Sequence, residues 1–129
     1  MVAAGGVGRI ELARVYDRVG EDPAGRFLVD RLWPRGLAKA RAPFEYWAKD
    51  VSPSNALRKW YGHAESRFEE FADRYRAELA LPAGEAALDD LRRRIAGRPA
   101  VLLTATKELA LSHLVVLVPV AVRKYRKVA

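Results

Sequence analysis

"PAVLLTAT", residues 99–106, decides how the rest of the chain is read. Four apolar residues stand between Pro99 and Thr104, and turn-forming residues bound the run on the N-terminal side. A short continuous apolar run of this kind suits a strand covered on both faces, the pattern of parallel sheets. Parallel pairing needs a long crossover between strands, and a crossover of that length is usually helical. The segment before residue 99 is therefore expected to hold helices, and an earlier segment the partner strands.

The helical segment is legible from spacing. Ser54 is placed to cap a helix over "NALRKWYGH", with Leu57, Trp60 and Tyr61 on one side and Gly62 closing it. In "ESRFEEFADRYRAEL" (65–79), Phe68, Phe71, Ala72, Tyr75 and Leu79 form one apolar face. Ser66 with Glu69 predicts a capping box, and Pro82 a stop. "GEAALDDLRRRIAG" (84–97) predicts a third helix, with Leu88, Leu91 and Ile95 inward and Gly97 at the C′ position just past its end.

The partner strands are expected at "RIELARVYD" (9–17) and "RFLVDRLW" (26–33), separated by turn chemistry in "VGEDPAG" (19–25). Pro34 and Gly36 would stop the second strand. Residues 37–53 read as a long connection with one helical turn near "FEYWAKD". "LSHLVVLVPVAVRKY" (111–125) is rich in valine, yet its length and basic end favour a helix packed on the last strand. The order β, β, helices, β, helix predicts a single compact α/β domain over residues 9–129, a mostly parallel small sheet flanked by helices. Residues 1–8, "MVAAGGVG", read as a flexible tail rather than a signal peptide.

Composition narrows the function classes. The chain has 129 residues and a net charge of +7, from 23 basic and 16 acidic residues. That excess favours anionic partners, although the charges are interspersed and only 92–94 and 123–127 are basic clusters. The absence of cysteine excludes disulfides, thiolate catalysis and Cys-ligated metals. The two histidines, His63 and His113, form no ligand pair, so no metal site is expected. No glycine-rich nucleotide loop follows a strand, and no cofactor is implied. The longest apolar stretch, 114–122, is too short to span a bilayer and holds a proline. A cytoplasmic, soluble protein is expected, of undetermined oligomeric state.

In a parallel sheet, ligands bind outside the carboxyl ends of the strands. Three segments leave strands there: "YDR" (16–18), "WPRG" (33–36) and "TATK" (104–107). They bring forward Arg31, Trp33, Arg35, Lys107 and His113 as a candidate anion site, with Asp17, Asp30, Arg58 and Tyr61 in support. A guanidinium offers a two-pronged fit to phosphate or carboxylate. Arg31 and Arg35 equally fit ion pairs with Asp30, Asp17 or Asp50. Trp33 fits either a stacking platform or a core plug whose N–H is satisfied. Lys107 would neutralise an anion, or act as a nucleophile if its pKa were lowered. His63, at a helix end, is explained by the helix dipole. No Gly-x-Ser-x-Gly elbow supports a hydrolase triad.

"RVYDR", "GRFLVDRLWPRGL", "WAKDVSPSNALRKWYGH", "FEEFADRYRAEL" and "VLLTATKELALSHLVVL" together resemble the YeaO-like family, domain of unknown function 488. The resemblance runs from about residue 9 to residue 118. It implies a compact α/β fold and a bacterial cytoplasmic setting, and no established reaction. The family tends to carry an aromatic residue where this chain has Thr104 and an asparagine where it has Ser112, while Lys107 and His113 match. Relatives in the wider superfamily carry a cysteine that this chain lacks.

Three classes of function remain at this point. The first is an enzyme or sensor for a small anionic or phosphorylated metabolite. The second is a nucleic-acid-binding or regulatory module with weak, unspecific contacts. The third is a structural domain whose arginines only make internal ion pairs.

Overall fold

The computed structural model describes residues 9–17 and 24–127, with the side chains of the last helix described as far as residue 122. The tail at 1–8 and most of the turn expected at 19–25 lie outside the described residues.

Four strands, β1 (Ile10–Arg14), β2 (Gly25–Leu28), β3 (Tyr46–Trp47) and β4 (Ala100–Thr104), form one sheet in the order β1-β4-β2-β3. All pairings are parallel, with Leu102 opposite Leu12 on one side and Phe27 on the other. The apolar run at 100–104 is thus an inner strand, and all five of its residues are buried.

Its two faces serve two clusters. Ala100 and Leu102 join Phe27 beneath the helices, while Val101 and Leu103 join Val15, Ala24 and Leu28 on the opposite face. The alternation is the period of two that a strand imposes. Helices α1 (Asn55–Tyr61), α2 (Phe68–Leu79), α3 (Pro82–Ile95) and α4 (Leu114–Lys127) contribute their buried side chains to the first cluster. The second face is covered by Leu37, Phe44 and Trp47 from the connection after β2.

Ser54 caps α1, its hydroxyl accepting from the Leu57 N–H at 3.2 Å, and Gly62 ends it in the left-handed conformation. On α2 the expected face is buried at Phe71, Ala72, Tyr75 and Leu79. α4 is a helix across Pro119, because its valine-rich face packs on the first cluster. Among the described residues, no helix is long and apolar enough to cross a membrane.

Several boundaries differ from expectation. Ser66 lies in a 3-10 turn at 65–67 and caps nothing; α2 begins at Phe68 behind Arg67. Pro82 opens α3 instead of merely stopping α2, since a first-turn residue has no intrahelical use for its N–H. The tight α2–α3 corner needs Gly84, where a Cβ would stand 2.4 Å from the Glu78 carbonyl oxygen. Ala96 is the left-handed C-cap of α3, with φ 46°, and Gly97 follows it at C′, also left-handed with φ 79°. β2 ends at Leu28, well before Pro34, because the chain turns away at Asp30. The connection at 37–53 holds two 3-10 turns and the edge strand β3, too short to produce a periodic signal. Arg92 of the basic cluster is 4% exposed, donating to the Ala121 carbonyl at 2.9 Å and to Asp89 at 2.8 Å.

Candidate functional site

The parallel sheet puts the carboxyl ends of its strands at one edge. Past Leu28 the Val29 N–H still bonds the Leu103 carbonyl at 2.9 Å, and then β2 and β4 part. Asp30 fills the gap. Its carboxylate accepts the Thr104 hydroxyl at 2.6 Å and the Ala105 N–H at 2.7 Å. Its carbonyl accepts the Trp47 indole N–H at 2.6 Å, so one residue ties the ends of three strands together. Burial raises the Asp30 carboxyl to about 6, against the opposing hydrogen bonds and the positive field of Arg58 and His63.

His113, immediately before α4, closes the floor. Its Nε2–H donates to the Val29 carbonyl and lies 3.6 Å from Asp30 Oδ1. Burial lowers the imidazole to about 4, so the ring is neutral at neutral pH and the contact with Asp30 is no ion pair. The ring also meets Tyr75 edge-on, with centroids 6.1 Å apart.

The arginines of "DRLWPRG" part company. Arg31 is committed to the main chain, donating to the Ser52 carbonyl at 2.7 Å and the Pro53 carbonyl at 3.2 Å, with Asp50 at 4.0 Å. It fastens the start of α1 to the end of β2. Arg35 is exposed, and among the described residues its guanidinium has no hydrogen bond or ion pair. Only its main chain is fixed, by the Tyr16 hydroxyl donating to its carbonyl at 2.7 Å. Trp33 is held as a plug: its N–H donates to the Leu37 carbonyl at 2.7 Å, and Phe44 and Trp47 meet it edge-on at 5.5 Å.

These residues surround a cavity of about 560 Å³. Arg31, Trp33, Arg35, Lys107 and His113 all line it, as do Asp30, Arg58 and Tyr61. Lys107 is exposed at its edge and, like Arg35, has no protein partner among the described residues. Arg58 donates to Asn55 at 3.0 Å. Tyr61 donates to the Leu111 carbonyl at 2.7 Å and stacks on Phe71 with centroids 4.2 Å apart.

Asp17 stands elsewhere, accepting the Arg14 N–H at 3.2 Å beside a separate groove with Arg26 and Glu45. β4 lies between β1 and β2, and Asp17, just past β1, does not line the cavity. In exchange the cavity gains His63 and Glu108. His63 is left-handed, with φ 58°, directly after left-handed Gly62, and that double turn carries it to the rim. The Gly-His pair after a helix was the only signal for it, and the helix dipole explained the same residues. Among the described residues no cluster of His, Asp and Glu could hold a metal.

Residues 9–129 match a family described as the inactive DUF488-N3 subclade. An uncharacterised protein of Mycobacterium tuberculosis is 46% identical over 110 residues, covering 84% of this chain and 90% of that protein. The uncharacterised protein YeaO of Escherichia coli is 36% identical over 109 residues, covering 84% of this chain and 92% of YeaO. The chain belongs to the YeaO-like DUF488 family. No solved structure matches it.

Within this DUF488 domain, Thr104 and Ser112 each have a local structural role. Thr104 is buried, and its hydroxyl donates to Asp30. Ser112 is buried too, and its hydroxyl donates to the Leu109 carbonyl at 2.7 Å, closing the turn before His113.

Proposed function

We propose that this DUF488 domain binds a small anionic ligand, a phosphorylated or carboxylated metabolite, in the cavity beyond β2 and β4. One observation carries the reading. Arg35 and Lys107, far apart in sequence and leaving different strands, line the same cavity with no protein partner among the described residues. Two unpaired cations in one concavity repel each other and attract an anion. Arg31 has a different part in this reading: it holds the wall. Trp33, Tyr61 and Phe71 supply an apolar surface of the kind that metabolite sites use.

Binding is a better reading than catalysis. The family match carries the description "inactive". The hydroxyls of Thr104 and Ser112 are committed to Asp30 and Leu109, that of Thr106 pairs with Thr104, and that of Tyr61 donates to Leu111. Ser54 is committed as well, donating to Glu78 at 2.6 Å and capping α1.

Thermal melting across a phosphate and sulfate titration tests the proposal. The parent should gain stability as RT ln(1 + [L]/Kd), ~2.7 kcal/mol at about 100 times Kd. Arg35→Ala and Lys107→Ala should each abolish that gain while leaving melting without anion nearly unchanged. A parent that gains nothing from either anion or from the organic anions named below would remove the reading.

A further inference from the structure

The floor of the cavity carries the opposite charge to its rim, and that polarity constrains the ligand. Asp30 lines the cavity with its side chain 12% exposed. Each carboxylate oxygen has one protein donor, the Thr104 hydroxyl or the Ala105 N–H. An ionised carboxylate has about four acceptor positions, so each oxygen keeps one unused. Among the described residues no lysine or arginine is ion-paired with it, and the adjacent His113 spends its Nε2 proton on Val29. A wholly anionic molecule reaching this floor would meet a buried like charge. A molecule with a cationic end would supply the donor that the protein withholds.

We infer that the cavity takes a bipolar small molecule, whose ammonium or amidinium group donates to Asp30 while its phosphoryl or carboxyl group meets Arg35 and Lys107. The inference rests on the anion-binding reading and names the class of ligand for that same site. The apolar wall of Trp33, Pro34, Tyr61 and Leu111 leaves the two poles as the polar anchors of a short carbon chain. Burial holds the Asp30 carboxyl at about 6, so it is ionised at pH 8 and protonated at pH 5. The groups facing it are Thr104 and Ala105 at the end of β4, His113 before α4, Arg58 on α1 and His63 behind it. Glu108 lines the same cavity.

Isothermal titration with matched pairs tests the inference. O-phosphoethanolamine is compared with ethyl phosphate, and γ-aminobutyrate with butyrate, at pH 8 and at pH 5. Within a pair the anionic end is shared, so the ratio of affinities reports the amine alone. In the parent at pH 8 the amine-bearing member of the better pair should bind about ten-fold tighter or more, the scale of one charge-assisted hydrogen bond. Which pair binds distinguishes phosphoryl from carboxyl ligands. The ratio should fall toward one at pH 5, and in Asp30→Asn it should be near one at both pH values. If that variant does not fold, the parent's ratio at the two pH values decides alone. A ratio near or below one in the parent at pH 8 overturns the bipolar class and leaves the anion site standing. A ratio that survives in Asp30→Asn, or does not fall at pH 5, overturns the assignment to Asp30. If none of the four compounds binds and inorganic phosphate does not stabilise, both readings fall.

Discussion

Asp30 Oδ1 and His113 Nε2 lie 3.6 Å apart, and burial shifts the two groups in opposite directions. The carboxyl is raised from 3.8 to about 6, and the imidazole is lowered from 6.5 to about 4. Between pH 4 and 6 the folded state holds more protons than the unfolded state at Asp30, so this group lowers stability as pH rises. At His113 the folded state holds fewer protons, so this group raises stability over nearly the same window. Each shift corresponds to about 3 kcal/mol, and the two nearly cancel. Removing either should unmask the other. Relative to the parent, Asp30→Asn should become more stable by about 2 kcal/mol as pH rises from 4 to 6, and His113→Gln less stable by about 2 kcal/mol. Urea denaturation at intervals across that range measures both. Parallel curves for parent and variants would show that burial does not shift these groups.

Arg31 and Arg35 should separate cleanly on mutation. Arg31 satisfies two main-chain carbonyls at the start of α1, so Arg31→Ala should cost about 2–3 kcal/mol with or without added anion. Arg35→Ala should leave unliganded stability nearly unchanged, since its guanidinium has no protein partner among the described residues. Equal losses in melting temperature for the two variants would place both arginines in the scaffold.

Phe71 tests the packing beneath the cavity. It is 2% exposed, stacked on Tyr61 and near Tyr75. Phe71→Ala should cost ~3–5 kcal/mol through lost burial and a cavity. Because Phe71 also lines the site, its truncation should weaken retention of organic ligands more than of inorganic phosphate. A variant that melts with the parent would mean the α2 register is wrong.

A nucleic-acid partner would leave a different signature. Binding through several phosphates falls steeply with salt, by about a thousand-fold or more between 50 and 200 mM for a protein making many such contacts. Here several arginines already have partners within the chain, such as buried Arg92 with Ala121 and exposed Arg98 with Glu45. Fluorescence anisotropy with a single-stranded oligonucleotide should show weak binding at low salt and none at physiological salt. Tight binding that persists there would favour the nucleic-acid class over the metabolite class.

Much of the fold is written locally. Four apolar residues between Pro99 and Thr104 mark a doubly covered strand, and the periodic face of "FEEFADRYRAEL" marks a helix. These signals depend only on side-chain spacing along the chain. The same reasoning placed the candidate site beyond the strand ends, because a parallel sheet gathers those ends at one edge. The family resemblance rests on sequence stretches alone; in one of them, "DRLWPRG", Asp30, Arg31 and Trp33 each fix a main-chain neighbour in the fold.

What each charged residue does was decided only by the tertiary structure. Arg31 and Arg35 are the same residue type four positions apart, yet one reaches carbonyls of the loop at 52–53 and the other faces open space. Asp17 and Asp30 each follow a strand, β1 and β2, with β4 between those strands, and only Asp30 lines the cavity. Sequence spacing fixes where a side chain points on its own element. Whether a carboxylate or a guanidinium finds a partner, and whether burial shifts its proton, depends on residues tens of positions away that arrive only when the sheet is assembled.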